Sequence, residues 1–222
     1  AKTITDHLAV LRPLTWTMVG HCGGVRQRQQ LGDFVIADSI VREDGLLESV
    51  FPHNAPIKCS RRVIDALTQA TRIEYNVNDF SDLEGEEAFG IAQKKIASMR
   101  SQARTGTVYT TSDRNWETDP NDEIRLKFYQ SRIVAVDMET GTLAAQGVRH
   151  RVHFGSLLCI SDKPLHGAIK MRYFADDFYR QQVSKHLKIS INSILFMEAD
   201  FEARYLLENS RDLHPPGNPP LA

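Results

Sequence analysis

IVAVDMETGTLAAQGVRHRVHFGSLLCISDKP, residues 133–164, decides the architecture. A β-branched run ends at Asp137, small residues fill Thr140 to Gly147, and a second apolar run spans 154–161. Short apolar runs that break off into polar clusters read as buried strands. The small residues between them suit a helix lying close on a sheet. Strand, helix and strand in succession predict an α/β fold with a mostly parallel, mixed central sheet flanked by helices.

The same grammar extends outward. TWTMVG at 15–20 reads as a strand running into a loop, His21-Cys22-Gly23-Gly24. Before it, Thr3 or Thr5 is expected to cap a short helix through about Leu11, with Pro13 closing it. GDFVIADSIVRE at 32–43 is a strand with its own turn at Gly32-Asp33, and 44–58 is loop. Residues 60–71 and about 84–103 read as helices around NVNDFSDLEGEE, whose acids (Asp79, Asp82, Glu84, Glu86, Glu87) suit a solvated loop rather than a metal site. A strand at 106–111 leads into SDRNW, and 121–131 is a polar helix. Phe174, Phe178, Val183, Leu187, Ile191 and Ile194 predict one long amphipathic helix over about 173–207, continuous or broken once. The tail HPPGNPPLA is expected to be extended.

Among 222 residues, 27 basic side chains against 28 acidic give a net charge of −1, which makes no electrostatic case for nucleic acid or an anionic membrane. No apolar run approaches the roughly 20 residues that span a bilayer. AKTITDHLAV lacks the basic-then-apolar profile of a signal peptide. Three cysteines without paired spacing indicate neither a disulfide frame nor a zinc site, so a cytoplasmic setting is expected.

In an open α/β sheet, ligands bind beyond the carboxyl ends of the strands. His21, Glu139 and Asp162 each stand at such an end and are expected to share one crevice. An acid just past a buried strand sits where desolvation favours the protonated carboxyl, the form a general acid needs. An Asp that merely caps the next turn is the competing reading of Asp162. Glu139, as a carboxylate, can accept bonds from two sugar hydroxyls beside the soft wall of Met138. It equally suits an acid at a helix N-terminus. The glycines after His21 let backbone amides approach a ligand, a weak signal by itself. Trp116 reads as a stacking platform for a planar base or as ordinary core packing.

In order along the chain, GHCGGVRQRQQLGDFVIA (20–37), TGTVYTTSDRNWE (105–117), QSRIVAVDMETGTLAAQG (130–147), LLCISDKPLHGAIK (157–170) and KHLKIS (185–190) resemble the nucleoside phosphorylase and nucleosidase superfamily. The resemblance is strongest to its AMP-cleaving nucleosidases and runs from Ala1 to about Leu195. It implies a nucleoside phosphorylase-like fold and hydrolysis of AMP to adenine and ribose 5-phosphate without a metal or organic cofactor. By this resemblance, Asp162 protonates the imidazole ring of the purine and Glu139 holds the ribose hydroxyls. Met138 lies along sugar and base, Trp116 near the base, His21 near ribose or phosphate, and Cys22 and Gly23 line the site. The 5′-phosphate needs cations, for which Arg26, Arg104 and Arg114 are candidates. The resemblance further implies a homo-oligomer. It assigns residues 1–197 to the catalytic domain and 198–222 to a helix end and Pro-rich tail. The superfamily's first strands and glycine-rich anion loop, and a regulatory domain, would precede Ala1. Two alternatives stand beside this: a purine nucleoside phosphorylase, which takes inorganic phosphate, and a non-catalytic purine-nucleotide-binding or assembly piece.

Overall fold

The computed structural model describes residues 1–49, 51–52, 55–76, 103–113, 115–118, 123–167 and 172–212. The strands are β1 (Thr15–Gly24), β2 (Phe34–Glu43), β3 (Ile57–Lys58), β4 (Ala103–Thr111), β5 (Ile133–Asp137) and β6 (His153–Asp162). The helices are α1 (Lys2–Ala9), α2 (Arg61–Asn76), α3 (Glu123–Gln130), α4 (Thr140–His150) and α5 (Arg172–Asp212), with short 3₁₀ turns at Trp116–Thr118 and Pro164–His166. The expected helix over 84–102 and the tail at 214–222 lie outside the described residues, and Ala103 begins β4.

The sheet runs β3-β2-β4-β5-β1-β6, and β6 also pairs with β2, so five of the strands close into a ring. The longer ladders, β1–β6, β2–β4 and β4–β5, are parallel. Short antiparallel pairings join β1 to β5, β2 to β6 and β2 to β3. The expected mixed α/β sheet is therefore present, with closure as an added feature.

Closure explains a correction. His21 to Gly24 is strand, not loop. After an irregularity between Cys22 and Gly23, β1 leaves its parallel register with β6 and pairs antiparallel with β5, Gly23 opposite Val136 and Gly24 opposite Ala135. Gly24 is needed there, because a Cβ would lie 2.9 Å from the Ile160 side chain.

Phe34, Val35, Leu157, Leu158, Cys159 and Ile160 are fully buried where β2 meets β6. Each large apolar side chain in that seam contributes about 1.5–3 kcal/mol of burial. The small residues of α4 do what their size suggests, with Ala144 and Ala145 fully buried.

Two helices differ from expectation. α1 starts at Lys2, so Thr3 and Thr5 are inside it, and the Thr5 hydroxyl donates back to the Lys2 carbonyl at 2.7 Å instead of capping. The helix ends at Ala9, and Arg12 takes a positive φ of 50° before Pro13. α5 is one unbroken helix, but Val183, Leu187, Ile191 and Ile194 are 41–56% exposed. The buried face carries His186, Ile189, Ser190, Ser193 and Met197 instead. Small serines permit close approach, and the Ser193 hydroxyl is satisfied within the helix by the Ser190 carbonyl.

Candidate active site

The ends of β1, β5 and β6, with the 3₁₀ turn after β4, enclose a cavity of about 370 Å³. Its wall includes His21, Cys22 and Gly23 from β1, Asp137, Met138 and Glu139 from the β5–α4 junction, Ser161 and Asp162 from β6, and Trp116. The three strand ends singled out by sequence thus converge. Register accounts for part of this, since Gly23 sits opposite Asp162 in the β1–β6 ladder.

The β5–α4 junction is built on a buried carboxylate. Asp137 Oδ1 accepts the Thr110 hydroxyl at 2.6 Å, and Oδ2 accepts the Thr140 amide at 2.7 Å, the Glu139 amide at 3.3 Å and the Thr140 hydroxyl. Burial pushes the Asp137 pKa up, and these donors oppose the rise. They turn the chain at once into α4. Simple alternation would send Asp137 and Glu139 to one side. The turn instead leaves Asp137 buried at 5% exposure and Glu139 open to the cavity. Met138 beside it is exposed.

On β6, Ser161 donates to Asp162 Oδ1 at 2.7 Å, and Pro164 follows against Gly23. Lys163 turns away to the Gln27 carbonyl at 2.8 Å. Cys22 is buried, and burial with the charges of Asp137, Cys159 and Asp162 raises its thiol pKa well above normal. It therefore remains a neutral wall and not a thiolate nucleophile. Trp116 lines the cavity and packs edge-on against Phe128 at 5.5 Å between centroids.

Arg26 is not brought to the cavity wall. Its guanidinium donates to the Phe128 carbonyl at 3.2 Å and lies 5.9 Å from the centre of the Tyr129 ring. Arg104 also lies away from the lining, and Arg114 lies outside the described residues. Asp137, Ser161, Asn115 and Glu117 line the cavity without having been chosen from sequence. The Asp-x-Glu spacing and the Ser-Asp pair were the available signals for the first two. Among the described residues, no group of three or more His, Cys, Asp or Glu side chains is arranged to hold a metal ion, and no helix is long and apolar enough to cross a membrane.

A model of the Phosphorylase superfamily matches residues 5–195. Over 221 residues, 100% of this chain, the sequence is 44% identical to the AMP nucleosidases of Escherichia coli K12 and O157:H7. The chain spans 41% of the length of these curated relatives. The crystal structure of AMP nucleosidase from Bacteroides thetaiotaomicron is similar with a TM-score of 0.62 at 25% identity, over 90% of this chain and 68% of that one. The P. knowlesi homologue of P. falciparum PNP has a TM-score of 0.61 at 16% identity, over 89% and 68% of the two chains, and speaks to the fold alone.

Proposed function

The chain belongs to the Phosphorylase superfamily, and from that premise we propose that it hydrolyses the N-glycosidic bond of AMP, yielding adenine and ribose 5-phosphate. The observation that carries the reading is the meeting of Asp162 and Glu139, from separate strand ends, in one cavity with Met138 and Trp116. Its substrate comes from the 44% identity to AMP nucleosidases.

In this mechanism the bond from the anomeric carbon to the purine breaks with its electron pair leaving on adenine. A protonated Asp162 gives its proton to the imidazole ring of the purine and so improves the leaving group. Positive charge develops on the ribose, and the Glu139 carboxylate steadies it through the sugar hydroxyls. Water adds to the anomeric carbon, and its released proton restores Asp162. General-acid help of this kind contributes about 10²–10⁴-fold, and positioning with electrostatic stabilisation supplies the rest. Trp116 offers a face to the base, and Met138 an apolar wall to the sugar.

The test is product analysis with AMP, with and without inorganic phosphate, using Asp162→Asn as control. Adenine and ribose 5-phosphate in phosphate-free buffer, lost in Asp162→Asn, are expected. Turnover that requires phosphate would replace hydrolysis by phosphorolysis. Binding of AMP without turnover would make the chain a nucleotide-binding piece.

A further inference from the structure

The long helix α5 carries two lines of contact residues, and the fold buries one of them, His186, Ile189, Ser190, Ser193 and Met197. The other line repeats with a heptad. Arg180, Leu187, Ile194 and Phe201 recur every seven residues, and Ser184, Ile191 and Glu198 fall between them. Alternating spacings of four and three are those of a coiled-coil seam. All of these side chains are exposed, with Val183 and Leu195 exposed at the borders of the line. Scattered exposed apolar residues are ordinary, but a continuous line of them along one helix marks a contact surface.

Charge says what the line fits. Arg180 stands at its N-terminal end, Glu198 and Glu202 at its C-terminal end, and Leu187, Ile191 and Ile194 between them. Among the described residues, none of these three charged side chains takes part in an ion pair. Lys188 and Asp200 differ, since they face α2, 3.8 Å from Glu74 and 3.4 Å from Arg62. Lys185, two positions before Leu187, lies on another side of the helix. A line that is basic at one end, apolar in the middle and acidic at the other is complementary to its own reverse. Two antiparallel copies related by a two-fold axis near Ile191 stack their apolar middles. Arg180 of each then lies beside Glu198 and Glu202 of the other. Arg180 and Glu202 are equally far from Ile191 in sequence, so both charged ends meet in one register. Parallel copies would set like charges against each other. We propose that α5 pairs this chain with a second copy through this seam, in a self-complementary antiparallel contact. The pairing does not depend on the AMP-hydrolase reading, because no residue of the seam lines the cavity.

The experiment is sedimentation velocity of the purified chain over a range of concentrations, with circular dichroism to check that each variant keeps its helices. Wild type sediments as a concentration-dependent dimer. Ile191→Asp raises the dimer dissociation constant about 100-fold, because it sets a charge at the centre of the seam. Arg180→Glu alone raises it about ten-fold, as does Glu198→Arg with Glu202→Arg, since symmetry makes each change count twice. The chain carrying all three reversals pairs as wild type does, because the ends are exchanged and remain complementary. Ile4→Glu, on the exposed apolar side of α1, leaves the dimer unchanged. A wild-type monomer at every concentration would overturn the proposal and leave the line to another partner. So would a dimer that survives Ile191→Asp, or one that Ile4→Glu breaks and the α5 variants do not. Reversals that weaken pairing singly and stay weak when combined would overturn the antiparallel match of the ends. A chain that pairs as described but does not cleave AMP removes the hydrolase reading alone.

Discussion

Asp137 Oδ2 accepts the Thr140 amide at 2.7 Å, so the helix that begins one residue past Glu139 is anchored by a buried carboxylate in the preceding strand. The bond satisfies one of the amides that a helix N-terminus leaves without an internal partner. Thr110 locks the arrangement from the other side, donating to Asp137 while accepting the Gly141 amide at 2.8 Å. Asp137→Ala removes the cap and strands several buried donors, which should cost about 2–4 kcal/mol. The check is a fall in the urea midpoint at constant slope. An unchanged midpoint would mean that water or Thr110 replaces the carboxylate without loss.

Glu139→Gln keeps the shape of the side chain and removes its charge. If Glu139 accepts from the ribose hydroxyls, losing charge-assisted hydrogen bonds should lower kcat/KM for AMP about 10–100-fold. The loss should be much smaller with 2′-deoxy-AMP, which already lacks one of those hydroxyls. Equal losses for the two substrates would remove the ribose from the role of Glu139.

Arg42 and Asp44 form a fully buried ion pair at 2.8 Å, joined by the Thr142 hydroxyl on Asp44 Oδ2 at 2.6 Å. Burial pushes the Asp44 carboxyl up, but Arg42, Thr142 and the Leu46 amide outweigh it and hold the pKa below its usual value. The folded chain therefore binds that proton less readily than the unfolded one. Asp44's contribution is fully present above the ordinary carboxylate value of about 4 and is lost as pH falls below it. Asp44→Asn should flatten that acid-side loss. At pH 7 it should cost about 3–5 kcal/mol, because the Arg42 charge stays buried without its partner. Chemical denaturation across pH 3–7 measures both effects.

A Cβ on Gly155 would lie 2.5 Å from Val63 Cγ1, at the contact of β6 with α2. Gly155→Ala should therefore overpack this layer and cost about 1–3 kcal/mol. A companion change, Val63→Ala, should recover part of the loss by making room. Thermal unfolding of the single and double variants distinguishes this steric cost from a backbone effect, which Val63→Ala would not relieve.

Local chemistry carried much of the fold. The runs ending at Asp137 and Asp162 are apolar enough to be buried and too short to be helices, so they are legible as strands without context. Thr140–Gly147 is legible as a helix from its small residues. The HCGG segment was less transparent, because paired glycines signal a turn unless a neighbouring strand comes close enough to use them. β5 does so, and the segment stays extended. The later part of the α5 stripe, Val183 to Ile194, was misread for a related reason, while Phe178 does pack against the core. Periodicity finds the apolar line of a helix, but packing against α2 and the sheet selected the line with serines and His186.

The site divides in the same way. Residue type and position at a strand end singled out Asp162, Glu139, Met138 and His21, since the chemistry of a carboxyl or imidazole belongs to the residue itself. What each side chain faces depends on contacts between segments far apart in the chain, as in Arg26, whose charge is spent on the Phe128 carbonyl 102 positions away. By itself the sequence determined the strand-helix alternation and the reactive groups at the strand ends, because periodicity and side-chain chemistry are local. Only the tertiary structure decided ring closure of the sheet, burial of Asp137 apart from Glu139, and which line of α5 is buried, because each depends on the distance between residues that the chain brings together only when folded.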